Sequence, residues 1–440
     1  MLTAVFIGRV LMAARQLMVV PLMIRAWGTS YYGAWLILSS VPTFIALSNL
    51  GVGTSALTQA TLEVAGGRVR YATTTIRLGA SVVAVVGAIS VLLVWFFLHV
   101  FVKQDSAMSA IEHADAVVVV LMITTFVQMF AQPYDAPWIG SERAAFAQNA
   151  NNLLNALIVA AMLVALFFGA SAITLSLVML VVTAAWSAIY VVLSQHALRE
   201  LRRSAAAVEL PSRNEMRLFG GLVWQGLGYL AGSLWQAILF QGSIVVAGSV
   251  MGTTGAALWG AMRIVIRSGN QFLELIGQTM APEFQAAYAA GDYPRLRRDY
   301  RRAMQAAIAS ASCIVILLLS LGPRVFDWWT RKSFTLDYRA WSIFCLSLLP
   351  FSLWWCGAVL QRGVNKPWMI NAYGVGSAAL CVALMRLLGS GGVVYFSACA
   401  LLFDGMMAAF VFPQSLQLLR APSTVESQAV RGQRAPIDPG

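Results

Sequence analysis

The sequence predicts an all-α polytopic membrane protein, with twelve transmembrane helices in two parallel-repeat lobes of six. Three observations predict it: an apolar, charge-poor composition, twelve separate apolar runs, and short motifs that recur at a near-constant offset. The 440 residues are 59% apolar and 11% charged, with a mean hydropathy of +0.73. A soluble domain runs at about 45–50% apolar and about 25% charged. One bilayer crossing takes roughly 20 residues, so twelve helices of about 22 residues use about three fifths of the chain, close to its apolar share. A soluble enzyme and a secreted disulfide scaffold are excluded. So is a transmembrane β-barrel, whose strands alternate in hydropathy and lack long solid runs.

The first lobe spans 1–197, with apolar runs at about 2–24, 34–57, 75–102, 115–137, 146–168 and 172–195. A basic linker at 198–217 follows, carrying Arg199, Arg202, Arg203, Arg213 and Arg217. The second lobe, 218–418, has runs at about 218–249, 253–281, 304–322, 340–360, 368–388 and 393–418. Residues 419–440, with their breakers and charges, read as a disordered cytoplasmic tail. The first apolar run continues into a second membrane segment, so no cleavable signal peptide is expected.

Net charge is +12, carried by 27 Arg and 3 Lys. In so apolar a chain this reads as topology and not as nucleic-acid binding, because cytoplasmic loops collect Arg and Lys. Placing both termini in the cytoplasm puts 19 Arg/Lys in inside loops and seven in outside loops. Arg9, Arg15, Arg263 and Arg267 remain, and they fall within helices. The five cysteines lie in or beside apolar runs, with no CxxC spacing and no neighbouring His, so they read as packing residues.

An internal repeat is visible. Gly28-Thr29-Ser30-Tyr31-Tyr32-Gly33-Ala34-Trp35 matches Gly252-Thr253-Thr254-Gly255-Ala256-Ala257-Leu258-Trp259 at an offset of 224. Ala65-Gly66-Gly67 matches Ala290-Gly291-Asp292 at 225, and Gly140 matches Gly363 at 223. Six helices lie between equivalents, so the halves run parallel. Two parallel bundles with a site at their interface is a transporter plan.

Three stretches resemble a known family. They are Val20-Pro21-Leu22-Met23-Ile24-Arg25-Ala26-Trp27-Gly28 with Tyr32-Gly33-Ala34-Trp35, then Asn49-Leu50-Gly51-Val52-Gly53-Thr54-Ser55, then Ala281-Pro282-Glu283-Phe284 with Tyr288-Ala289-Ala290-Gly291-Asp292. They resemble the polysaccharide (O-antigen, Wzx-type) flippases of the multidrug/oligosaccharidyl-lipid/polysaccharide (MOP) superfamily. Arg9-Val10-Leu11 followed by Arg15 is also similar to the first helix of lipid II flippases. The resemblance covers most of the chain from Arg9 to about Arg420. It implies a MATE-like pair of lobes around a central cavity, in a bacterial inner membrane. It also implies translocation of undecaprenyl-diphosphate-linked oligosaccharide to the periplasmic leaflet for O-antigen, capsule or exopolysaccharide synthesis. The implied partners are that lipid-linked oligosaccharide, the membrane lipids, and polysaccharide polymerase and assembly proteins.

Charges inside the membrane mark candidate sites, since an Arg at the bilayer centre costs about 2.5–3.5 kcal/mol on insertion scales. In the eighth helix Arg263, Arg267, Asn270 and Glu274 fall at about 0°, 40°, −20° and 20°, with Gln278 at about 60°. This stripe reads either as cavity wall or as a polar seam between lobes. Arg suits a diphosphate because its planar donor fork grips oxygens bidentately. Arg9 and Arg15 differ in direction by about 120°; each reads as cavity lining or, for Arg9, as snorkelling to headgroups.

Glu274 and Asp404 are candidates for H⁺ or Na⁺ coupling, and no other cofactor is expected. For Asp404 the alternative is a salt bridge to a membrane Arg. Gln128, Gln132 and Asp135 (i, i+4, i+7) form a second polar stripe, either cavity wall or headgroup contact. Gln225 and Gln236 share a face with Gly228 and Gly232 and could bind sugar hydroxyls, while the glycines allow close helix packing. Trp224, Trp235, Trp328, Trp329, Trp354 and Trp355 read mostly as interfacial anchors, and Trp235 lies deep enough for sugar stacking. Arg295, Arg297, Arg298, Arg301 and Arg302 read as topology signals and anionic-lipid contacts, or as a capture site for the lipid diphosphate.

The chain carries no P-loop, so it is not expected to hydrolyse ATP. An H⁺- or Na⁺-coupled multidrug/cation antiporter of the same superfamily is the alternative reading. An integral-membrane sugar transferase or ligase would need a large catalytic outside loop. The longest one here, about 323–339, is too short, and the protein is not expected to be an enzyme.

Overall fold

The computed structural model describes residues 2–46, 52–101, 111–204, 232–289, 291–363 and 368–420. The described residues are helical, with no strand among them. The first half contains α1 (Leu2–Ala46), α2 (Val52–Ala65), α3 (Val69–Phe101), α4 (Ala114–Ala131), α5 (Ala136–Gly140), α6 (Ala144–Phe167) and α7 (Ala172–Ser204). A 3-10 turn, Gln132–Asp135, joins α4 to α5 at Pro133. The described part of the second half is helical over 232–237 and passes through a π turn, Ile238–Gly242, into α8 (Ser243–Ala289). Then come α9 (Tyr293–Ser320), α10 (Gly322–Trp329), α11 (Tyr338–Leu346), α12 (Leu348–Gly363), α13 (Trp368–Leu388) and α14 (Val393–Leu418). Nine segments among the described residues are long and apolar enough to cross a membrane, and the chain is a multi-pass membrane protein.

The long elements α1 and α8 each contain a break. At Gly28 φ is 75° and ψ 171°; at Gly252 φ is 73° and ψ −179°. That region of backbone space is essentially reserved for glycine. Each break ends one membrane helix and starts the next. The loop expected at about 25–33 is therefore a single-residue break, because glycine turns the chain without unwinding the residues around it.

Gly67 and Gly291 form a second pair, with φ of 72° and 70°. Each closes its helix in a left-handed cap: Arg68 N–H donates to Glu63 O (2.8 Å), and Asp292 N–H donates to Ala287 O (3.0 Å). Gly67 and Gly291 are equivalent at the same offset as Gly28 and Gly252, whereas the sequence match Ala65/Ala290 is one residue out of register.

Helices of each half pack mainly on one another, and α1 against α8 is the main contact between halves. Near the breaks, Ser30 Oγ lies 2.8 Å from Thr253 Oγ1. A Cβ on Gly33 would stand 1.8 Å from Thr253 O, so this approach requires glycine. The outer surface is apolar where it should meet lipid: Leu92, Leu93, Phe96, Val181, Val192 and Leu387 are all exposed. Four of the five cysteines are buried, Cys313 is exposed, and none is bridged.

One expected loop is partly helical. Residues 322–329 form α10, whose Phe326 and Trp329 are buried while Trp328 lies outside. Trp329 Nε1 donates to Leu17 O (2.5 Å), tying α10 to α1. The apolar spacing of Phe326 and Trp329, one helical turn apart, is the signal for this short amphipathic element.

Candidate functional site

Arg263 and Arg267 sit 11 and 15 residues beyond Gly252, roughly 16 and 22 Å along the helix axis. One turn apart, they face the same way. Together with Asn270 they line a cavity of about 60 Å³ in the second half of the chain. The opposite wall carries Asp404 from α14, Ser347 and Trp354 from the α11–α12 segment, and Trp235 with Phe240 from the segment before α8. At about 10–15 Å³ per water the cavity has room for roughly four water molecules. A lipid diphosphate with its sugars would need it to widen.

Phe240 organises the two guanidinium groups. Its backbone carbonyl, within the π turn, accepts a hydrogen bond from Arg263 Nη1. A π turn displaces carbonyls from the regular ladder and is common at functional sites. The Phe240 ring lies 5.3 Å from Arg263 Cζ and 4.5 Å from Arg267 Cζ, so one ring serves both cations. Tyr32, buried in α1, is within electrostatic range of Arg263, which brings the first half of the chain to the edge of the site.

Asp404 is buried and accepts a hydrogen bond from Trp354 Nε1 (2.9 Å). Trp354 is in turn held in an aromatic cluster, 5.9 Å from Trp235, and Trp235 stacks on Phe403 at 5.5 Å. Asn270 Oδ1 is buried with no hydrogen-bond partner among the described residues. A buried acceptor without a donor is costly, and Asn270 lines the cavity. No group of three or more His, Cys, Asp or Glu able to hold a metal ion occurs among the described residues.

The other sequence-derived positions separate from this cluster. Glu274 shares the stripe in projection, but it does not line the cavity and lies in electrostatic range of Arg362. Arg362 lies over Trp355, its Cζ 4.4 Å from the ring centroid. Gln236 is exposed and off the cavity, because the adjacent Trp235, about 100° round the same helix, is the residue that faces it.

Gln225 and Gly228 lie outside the described residues. Arg9 and Arg15 fall within α1, and their side chains lie outside the described residues. In the basic segment, Arg295 pairs with Glu283 (2.6 Å) and Asp299 (3.5 Å), and Arg297 Nε donates to Leu419 O (2.7 Å).

Sequence reasoning missed Phe240, Ser347 and Trp354 as lining residues. An aromatic pair inside an apolar run, Trp354-Trp355, opposite an isolated carboxylate was the available signal for Trp354.

No family model matches the sequence, and no curated protein matches it. Solved structures do match. A multidrug resistance MATE family transporter of the MOP superfamily, in its inward-facing conformation, aligns with a TM-score of 0.66 at 14% identity, covering 96% of this chain and 100% of that one. Its outward-facing counterpart aligns at 0.62 and 13%, covering 97% of each. A MOP superfamily transporter from Pyrococcus furiosus, described as having a binding pocket of reversed polarity, aligns at 0.61 and 15%, covering 92% and 95%. The chain has the fold of the MATE-type transporters of the MOP superfamily.

Proposed function

We propose that the protein is an alternating-access membrane transporter whose cargo is anionic: an undecaprenyl-diphosphate-linked oligosaccharide carried from the cytoplasmic to the periplasmic leaflet of a bacterial inner membrane. The observation that carries this reading is the pair of guanidinium groups, Arg263 and Arg267, turned into one cavity at membrane depth. Two like charges in a low-dielectric setting repel one another and gain most from a doubly charged oxyanion between them. A cationic drug would meet that repulsion instead.

Asp404, on the opposite wall, can take up a proton or a Na⁺ ion when the cargo leaves. Arg9 and Arg15 of α1 would add charge from the first half. With both termini in the cytoplasm, the Ser30–Thr253 contact closes the periplasmic end. A ligand shifts such an equilibrium only by its differential affinity for the two states, so net export needs ion coupling or downstream consumption by a polymerase. The sites are binding sites, and the reading includes no catalysis.

The second reading, an H⁺- or Na⁺-coupled multidrug antiporter, is favoured by the fold comparisons, since two of the matched structures are described as multidrug resistance transporters. Deleting the gene separates the two. The flippase reading expects undecaprenyl-diphosphate oligosaccharide to accumulate, with wild type restoring it to normal and Arg267→Ala failing to. Normal surface polysaccharide together with new sensitivity to cationic drugs would establish the antiporter.

A further inference from the structure

A second cavity, of about 390 Å³, lies in the first half among α4, α6, α7 and the turn after α4. Its chemistry differs from that of the arginine cavity. Asp135, Asn151, Asn155, Gln128, Trp186 and Tyr190 supply most of the polar lining, and no Lys or Arg contributes among the described residues. All lie in segments apolar enough to cross the membrane, yet Gln128 and Asn151 are exposed. Polar side chains at membrane depth are expensive unless they face water or a cargo.

The site is built. Tyr190 OH donates to Asp135 Oδ1 (2.5 Å), and Asn151 Nδ2 donates to Oδ2 (3.4 Å), so the carboxylate is held from two sides. Asn155 Nδ2 donates to Asn151 O (2.9 Å), and its side-chain oxygen makes no bond among the described residues. Gln128 makes no side-chain hydrogen bond among the described residues. An amide offers two donors and an acceptor with two lone pairs. The cavity therefore presents unused donors and acceptors side by side, around one restrained carboxylate and one large aromatic ring.

Neighbouring hydroxyls, each both donor and acceptor, with a C–H face for Trp186, match that pattern. Its volume falls in the range of about 300–1,000 Å³ typical of ligand pockets, but its lining is mostly polar where drug-sized ligands meet mostly apolar walls.

We propose that this cavity binds the first sugars of the cargo while the arginine cavity of the other half takes the diphosphate. The inference rests on the flippase reading, and one experiment distinguishes their failures. Full-length protein in lipid nanodiscs is titrated with undecaprenyl diphosphate and with the same lipid carrying glucose, galactose or N-acetylglucosamine. Wild type binds at least one glycosylated lipid about tenfold more tightly than the bare lipid. Asn155→Ala and Gln128→Ala each remove about fivefold of that preference, the loss of about one hydrogen bond, and keep bare-lipid binding within about twofold, which also shows that they fold. Arg267→Ala weakens binding of all the lipids alike. If wild type binds bare and glycosylated lipids equally, or the two variants keep the preference, the sugar site is overturned and the flippase reading stands. Should wild type bind none of these lipids, the flippase reading fails and takes this inference with it. Variants that instead lose binding of ethidium mark a cation pocket and overturn the proposal.

Discussion

Gly28 and Gly252 break their helices with the same backbone angles, φ 75° and ψ 171° at one and φ 73° and ψ −179° at the other, 224 residues apart. Close to both breaks, Ser30 Oγ and Thr253 Oγ1 stand 2.8 Å apart. Two copies of one structural device thus meet where the halves of the chain touch.

The breaks carry strain for any residue but glycine. A Cβ at Gly28 or Gly252 meets nothing within 4 Å, so substitution acts through the backbone alone. Gly28→Ala and Gly252→Ala are each expected to cost about 1–3 kcal/mol. Thermal unfolding in detergent, followed by tryptophan fluorescence, should show lowered midpoints for both. Gly376→Ala, which is open and lacks a positive φ, should leave the midpoint unchanged. Equal midpoints for all three variants and wild type would contradict the assignment.

The Ser30–Thr253 contact joins the halves. The double variant Ser30→Cys/Thr253→Cys is expected to form a disulfide on mild oxidation, detected as a mobility shift on non-reducing gels. If the halves separate there during each cycle, the cross-linked protein stops transporting and reduction restores it. Full transport by the oxidised protein would show that this contact persists through the cycle.

Asp404 and Trp354 separate charge from hydrogen bonding. Asp404→Asn keeps an acceptor for Trp354 Nε1 and should retain the wild-type unfolding midpoint. Asp404→Leu leaves that buried N–H unpaired and should cost about 1–3 kcal/mol. If Asp404 carries the coupling ion, transport by Asp404→Asn loses its dependence on a proton or Na⁺ gradient. A gradient dependence like that of wild type would remove Asp404 from the coupling step.

Arg263 is expected to serve structure and cargo together. Arg263→Ala removes the donor to the Phe240 carbonyl and should destabilise by about 1–3 kcal/mol. Arg263→Lys restores a charge without the planar fork. Its unfolding midpoint should lie between those of Ala and wild type, while affinity for undecaprenyl diphosphate stays low. Wild-type affinity in Arg263→Lys would show that a point charge suffices.

Much of this was legible in the sequence, and the reasons are specific. Gly28 and Gly252 were found because a repeat keeps its glycines where the backbone needs them. Arg263, Arg267 and Asn270 were found because a 100° step per residue fixes their common face. That rule places side chains about one helix axis and says nothing of what stands opposite. Hence Glu274, read on the same stripe, does not line the cavity and lies in electrostatic range of Arg362 on α12, 88 residues later in the sequence. Asp404 stood out as a lone carboxylate, but its donor, Trp354, lies 50 residues earlier. The π turn at Ile238–Gly242 left no signature in spacing, and Gln236 is exposed while the adjacent Trp235 faces the cavity. The stripe of Gln128, Gln132 and Asp135 was visible, whereas Asn151, Asn155 and Tyr190 join it only through packing of α6 and α7.

The central claim is that paired guanidinium groups hold a diphosphate on its way across the membrane. The most direct measurement is translocation in proteoliposomes, using undecaprenyl diphosphate carrying a fluorescent sugar whose emission is quenched from outside. Wild type should speed transbilayer movement well above protein-free vesicles, and Arg267→Ala should fall to near that background. Wild type that leaves the lipid where it was and drives ethidium uptake under an ion gradient would contradict it.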